Sequence, residues 1–99
     1  MRTMMRVTIP VEGGNKRVKD GSISGIIEKT MADLKPEATF FTADGGNRTA
    51  YLFFDMKETA DIPRMAERFF MGLNASVELF PVMNLDELKR GLQRVEKVD

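Results

Sequence analysis

Cysteine, histidine and tryptophan are absent from this 99-residue chain, and tyrosine occurs once. Without Cys there are no disulfides and no thiol nucleophile. Without His there is no imidazole acid/base chemistry, no Cys/His zinc site and no His-ligated haem. An excess of either charge is missing too. Fifteen basic side chains balance fifteen acidic ones, removing the net attraction to phosphate backbones or anionic lipid that small nucleic-acid and membrane binders carry. Long apolar runs are lacking as well: Leu52-Phe53-Phe54 is typical, against about twenty residues for a bilayer span. The start, Met1-Arg2-Thr3-Met4-Met5-Arg6, leads into a stretch too short and polar for a signal-peptide core. The expectation is a cytoplasmic protein with no cofactor, no metal, no nucleic acid and no membrane as partner. The 42% hydrophobic and 30% charged content that remains makes a single domain over residues 1–99, because two halves of fifty residues would each fall near the lower limit for a core.

Residues 5–11 alternate Val7, Ile9 and Val11 with Arg6, Thr8 and Pro10, the period of a half-buried strand. Residues 12–21, Gly-rich and polar, read as a loop of about ten residues. Ser22 caps a first helix over 22–35, in which Ile23, Ile26, Ile27, Met31 and Leu34 recur at helical spacing until Pro36. Residues 38–44 and 48–56 form a β-hairpin around Asp44-Gly45-Gly46-Asn47. A second helix starts near Asp61 with Pro63 in its first turn and ends near Gly72 or Asn74. A strand follows over 76–83, and Asn84-Leu85-Asp86-Glu87 reads as the capping box of a third helix with a narrow seam of Leu85, Leu88, Leu92 and Val95. The order β-α-β-β-α-β plus a C-terminal helix predicts an α+β, ferredoxin-like fold with an antiparallel four-stranded sheet ordered 4-1-3-2.

A turn on Gly45-Gly46 sets Phe40 opposite Tyr51, Phe41 opposite Ala50 and Thr42 opposite Thr49. Phe41, Ala43, Ala50, Leu52 and Phe54 then join Val7, Ile9, Val77 and Leu79 on the face toward the helices. The other face collects Arg6, Thr8, Pro10, Phe40, Thr42, Thr49, Tyr51, Phe53, Asp55, Glu78, Phe80 and Val82. Four aromatics there would expose on the order of 600 Å², at the upper limit for a soluble monomer. A second copy of the chain, a small organic ligand or stacked nucleic acid would bury that face, and the C-terminal helix is placed to cover part of it.

This open, partly apolar sheet with an appended helix resembles the dimeric α/β-barrel superfamily, in which two such sheets pack face to face around a cavity. The segments Val7-Thr8-Ile9-Pro10-Val11-Glu12, Phe54-Asp55-Met56 and Val77-Glu78-Leu79-Phe80-Pro81-Val82-Met83 are similar to small bacterial proteins of that type. The resemblance implies a homodimer and no particular reaction. Its members include cofactor-independent monooxygenases, lactone isomerases, haem-degrading enzymes and ligand-sensing regulators, and the oxygen- and haem-handling ones commonly use His or Trp, which this chain lacks.

No catalytic motif stands out, and the candidate chemistry lies on the open face. Tyr51 offers a hydroxyl to orient a carbonyl or phenolate. Arg6 and Glu78 are neighbours in adjacent strands, either as a structural pair or as the polar groups of a pocket. Asp55 lies too far along the strand from Tyr51 for an acid/base couple, and Glu78 beside Phe80 is the better candidate base. Lys16, Arg17 and Ser22 supply the ingredients of an anion site at a loop and helix start. The run Arg48–Phe54 compares poorly with RNA-recognition strands, whose glycine it lacks. The expected function is a homodimer enclosing a mostly apolar cavity for a small organic ligand. A cofactor-independent isomerase or oxygenase-like enzyme and a pure dimerisation protein are the alternatives.

Overall fold

The computed structural model describes residues 1–95. Its elements run β1 (Arg2–Ile9), α1 (Val11–Lys19), α2 (Ser22–Leu34), β2 (Ala38–Asp44), β3 (Asn47–Asp55), α3 (Ile62–Leu73), β4 (Ser76–Pro81) and α4 (Leu85–Gln93), with one 3-10 turn ahead of α3. The four strands form one antiparallel sheet in the order β2-β3-β1-β4. That is the order expected from the sequence, read from the other edge, and the architecture is α+β and compatible with a ferredoxin-like fold. Gly45 and Gly46, at φ of 62° and 81°, turn the hairpin with the expected register, Phe40 to Tyr51 and Thr42 to Thr49. Among the described residues no helix is long and apolar enough to cross a membrane.

The core lies between the sheet and α2 and α3. Thr3, Met5, Val7 and Ile9 of β1 alternate inward with Ala50, Leu52 and Phe54 of β3, against Met65, Phe69 and Leu73 of α3. Ile23, Ile26, Met31 and Leu34 of α2 pack at its margin. α3 ends at Asn74, whose left-handed backbone (φ 52°) closes the last turn. An ion-pair mesh of Asp33 with Arg64 and Arg68 ties α2 to α3.

Three expectations are corrected. Residues 12–21 are not a loop: Val11–Lys19 form α1, whose first turn closes from the Gly14 N–H to the Pro10 carbonyl at 2.8 Å. Gly13 and Gly14 make this segment a poor helix former, yet the backbone of α1 approaches the sheet so closely that a Cβ on Gly14 would meet Arg48 Nη1 at 2.6 Å and Ile9 Cγ2 at 3.0 Å. Packing overrides propensity here. The cap of α2 is Gly21 (φ 78°), not Ser22, whose N–H donates to the Asp20 carboxylate at 2.8 Å. Phe41 has the expected register, but α2 meets the edge strand only in part, through Met31 against the Thr39 hydroxyl at 3.6 Å, and Phe41 stays 57% exposed.

The C-terminal helix forms with the expected capping box between Asn84 and Glu87. It touches the sheet through Glu87 and Arg2 at 2.6 Å, and none of its residues is buried. The radius of gyration of 16.2 Å exceeds the value of about 13 Å expected for a compact domain of this length, and the long axis reaches 58 Å against 28 and 20 Å for the other two, as a projecting helix requires.

Candidate functional site

Strand pairing arranges the open face as three parallel rows across the sheet. The first contains only hydroxyls, Thr42, Thr49, Thr8 and Ser76. In the second, Phe40 of β2, Tyr51 of β3, Arg6 of β1 and Glu78 of β4 stand side by side. The third is apolar, with Ala38, Phe53, Met4 and Phe80. Side chains two apart on a strand share a face, so the second row lies between the hydroxyl row and the apolar row, with Phe40 beside Tyr51 across the strands and Phe53 and Phe80 two residues along from Tyr51 and Glu78.

Arg6 is the centre of this arrangement. Its Nη2 meets Glu78 Oε2 at 2.5 Å, and Glu78 and Tyr51 both favour its charged form. The Tyr51 hydroxyl donates to Asp44 Oδ2 at 2.5 Å. To reach Asp44 the ring must cross the hydroxyl row, and Thr49 beneath it is buried while its own hydroxyl donates to the Asn47 carbonyl at 3.0 Å. The hydrogen bond to Asp44 pushes the Tyr51 hydroxyl above its ordinary value; partial burial and the Asp44 charge add to this, and Arg6 opposes it. The Tyr51 proton is thus committed to Asp44, and Arg6 is its cross-strand neighbour in the row. Arg6 carries five N–H donors in a planar fork, and the contact to Glu78 leaves others free for a second acceptor. Chemically, the row can bind and orient an oxygen-bearing group among aromatic rings.

Arg6, Thr8, Phe40, Thr42, Tyr51, Phe53, Glu78 and Phe80 therefore fall within these three rows. Asp55 is on the same face but separate from them: it pairs with the Met1 amino group and with Lys57, each at 2.6 Å. Lys57 first, then the amino group, holds its carboxyl down at about 2. It is an ionised tether of the chain start and no acid. Lys16, Arg17 and Ser22 lie on α1 and α2, across the sheet from the rows. Lys16 and Arg17 occupy the last turn of α1, where a helix dipole favours cations, and the N–H of Ser22 is already taken by Asp20. Hydrogen bonding from Ser22 keeps Asp20 below its usual value, so the chain's own carboxylate occupies the helix start where an anion would bind.

Met4, Ala38 and Ser76 complete the rows and Asp44 extends the face beyond them; the sequence reading placed none of the four there. Beneath them, Arg2 bridges Glu37 at 2.8 Å and Glu87 of α4 at 2.6 Å, joining the arm to the lower rim of the open face. On the helix side, an apolar notch of about 210 Å³ opens under β2, lined by Ile23, Ile27, Phe41, Ala50, Phe69 and Leu73 among others. A charged hollow of about 340 Å³ at the lower end of the sheet is lined by Asp33, Asp55, Asp61, Lys57 and Arg64, which pair with one another or with near neighbours. Compared with known proteins, the chain matches no family model, no curated protein and no solved structure.

Proposed function

We propose that this chain acts as a homodimer in which two open sheet faces enclose a mostly apolar cavity for a small organic ligand, anchored by an oxygen acceptor to Arg6. The observation that carries the reading is the polar row of Tyr51, Arg6 and Glu78 set in an uncovered field of Phe40, Phe53, Met4 and Phe80. Phe40 is 62% exposed, and apolar surface of this kind on a small domain marks a binding face. A few convergent polar groups in an apolar concavity is the usual composition of a small-molecule site. Pairing two sheets would give each aromatic row a partner and withdraw Arg6 and Glu78 from water, strengthening what they hold.

Native mass spectrometry of the wild type and of Phe53→Asp tests the pairing. The wild type is expected as a dimer and the variant as a folded monomer, because an unpaired charge buried at the interface costs about 3 to 5 kcal/mol, a hundredfold or more in Kd. A wild-type monomer, or a variant that stays dimeric, overturns it. The cavity is probed with anilinonaphthalene sulfonate, an aromatic anion: fluorescence enhancement by the dimer and its loss in Arg6→Met are expected. Equal enhancement in both proteins removes Arg6 from binding.

A further inference from the structure

α4 is a nine-residue helix, shorter than the ~12–15 residues that an isolated helix needs to persist in water, and Gly91 weakens its middle further. Helices this short form because an amphipathic face packs on something. Here the face is present: Leu85, Leu88 and Leu92, continued by Val95, recur at spacings of three and four and remain 40 to 65% exposed. Among the described residues none of the four is buried. At the other edge of the same molecule, the notch under Phe41 is an apolar recess.

We infer that α4 is an arm exchanged between two copies of this chain, the leucine seam of each filling the notch beneath β2 of the other. This rests on the homodimer proposed above and names a second surface within it. Three observations point to a second copy as the occupant. First, the arm leaves from β4 and the notch lies at β2, the two opposite edges of the sheet, about 14 Å apart at 4.8 Å per strand spacing. Only Val82–Asn84 lie between β4 and α4, so the arm is kept from its own notch, while a two-fold pair closes with both arms and both notches used. Second, the Glu87 contact to Arg2 at 2.6 Å roots the arm on the rim of the open face, so arm and face form one continuous surface. Third, four strands by about six residues have a flat outline of roughly 400 Å² before side-chain relief adds accessible surface, so the sheet alone gives an interface at the low end of the ~800 Å² of accessible surface per partner of a stable complex. The arm and notch supply further apolar area.

The chain has no cysteine of its own, so introduced thiols report without background. Leu92→Cys and Phe41→Cys are made as separate full-length proteins, mixed, allowed to exchange and joined with a short bismaleimide. Mixed adducts are expected as the main covalent product, severalfold above either variant alone. Leu92→Cys copies linking chiefly to each other, or a mixture that is dimeric yet yields no mixed adduct, overturns the arm. In the same series Leu88→Asp/Leu92→Asp should weaken the dimer about a hundredfold or more, with the circular-dichroism signal of the body kept; an unchanged Kd counts against the arm. Phe53→Asp separates the two readings. If it splits the dimer while no mixed adduct forms in the unsubstituted background, sheet pairing stands and the arm falls. If mixed adducts form and Phe53→Asp remains dimeric, the arm stands and sheet pairing falls.

Discussion

Adding one methyl group at two glycines should move stability in opposite directions. Gly25 lies inside α2 with open space around it, so the Cβ of Gly25→Ala meets no heavy atom within 4 Å. It should collect the ordinary helix preference for alanine and raise stability by about 0.5 to 1 kcal/mol. Gly14→Ala gains the same preference in α1 but sets its Cβ at 2.6 Å from Arg48 Nη1 and 3.0 Å from Ile9 Cγ2. The guanidinium can move, at the cost of its bond to Asn15 Oδ1 at 3.0 Å. Ile9 cannot move freely, because it is a β-branched core residue with one preferred rotamer and 5% exposure. Overpacking of this kind costs about 1 to 3 kcal/mol. The net loss should be about 1 kcal/mol, leaving the variants roughly 2 kcal/mol apart. At a urea slope of about 1 to 2 kcal/mol/M, their midpoints should differ by about 1 M or more, read at a single protein concentration because the proposed dimerisation would shift apparent stability. If Gly14→Ala is as stabilising as Gly25→Ala, α1 does not lie against the end of the sheet as described, and packing did not select its glycine.

Two titrations follow from the site. Tyr51 is the only tyrosine and there is no tryptophan, so near-ultraviolet absorbance follows its hydroxyl alone. Its ionisation should occur above 10 and fall back toward the ordinary value in Asp44→Asn, because the Asp44 hydrogen bond is the leading cause of the upward shift. With a folded value raised above the unfolded one, this contribution to stability is complete below pH 10 and is lost as pH rises through the folded value; identical titrations in both proteins would remove Asp44 as the cause. Asp55 has the opposite sign: its folded value of about 2 lies below the unfolded one, so its contribution is present above about pH 4 and disappears as pH falls toward 2. Asp55→Asn should flatten that part of the stability curve, and an unchanged acid limb would contradict the assignment.

Much of this arrangement can be read from parity and punctuation. The Asp44-Gly45-Gly46-Asn47 turn fixes the hairpin register and with it the Phe40–Tyr51 pair; counting in twos puts Arg6 and Glu78 on the same face, but their alignment with Tyr51 in one row is set by pairing between strands far apart in sequence. The same count would have found Asp44, which shares parity with Phe40 and Thr42, and Met4, had β1 been extended to its true start. The strand begins at Arg2, and Thr3 is buried, its hydroxyl donating to the Met1 carbonyl at 3.1 Å. α1 was hidden for a different reason. Its two glycines depress local propensity, and the close contact that requires Gly14 involves Arg48, 34 positions away. Coverage was equally invisible: alternation assigns Phe41 to a face, but whether α2 spans that far depends on how helices pack. The projection of α4 depends on what it packs against, which one chain's pattern does not contain.

The edges of the sheet are unequal. β4 carries Glu78 and ends at Pro81, devices that discourage a stray strand from adding on. β2 reads Ala38-Thr39-Phe40-Phe41-Thr42-Ala43 before its first charge at Asp44, with an exposed ring on each side of the sheet. Uncharged, free of proline and glycine and rich in β-formers, those six residues have the composition of cross-β segments, and one of their two backbone edges lacks a strand. A partner that covered this strand would therefore also shield the chain from self-templated fibres, and a chain without such a partner carries that hazard uncovered.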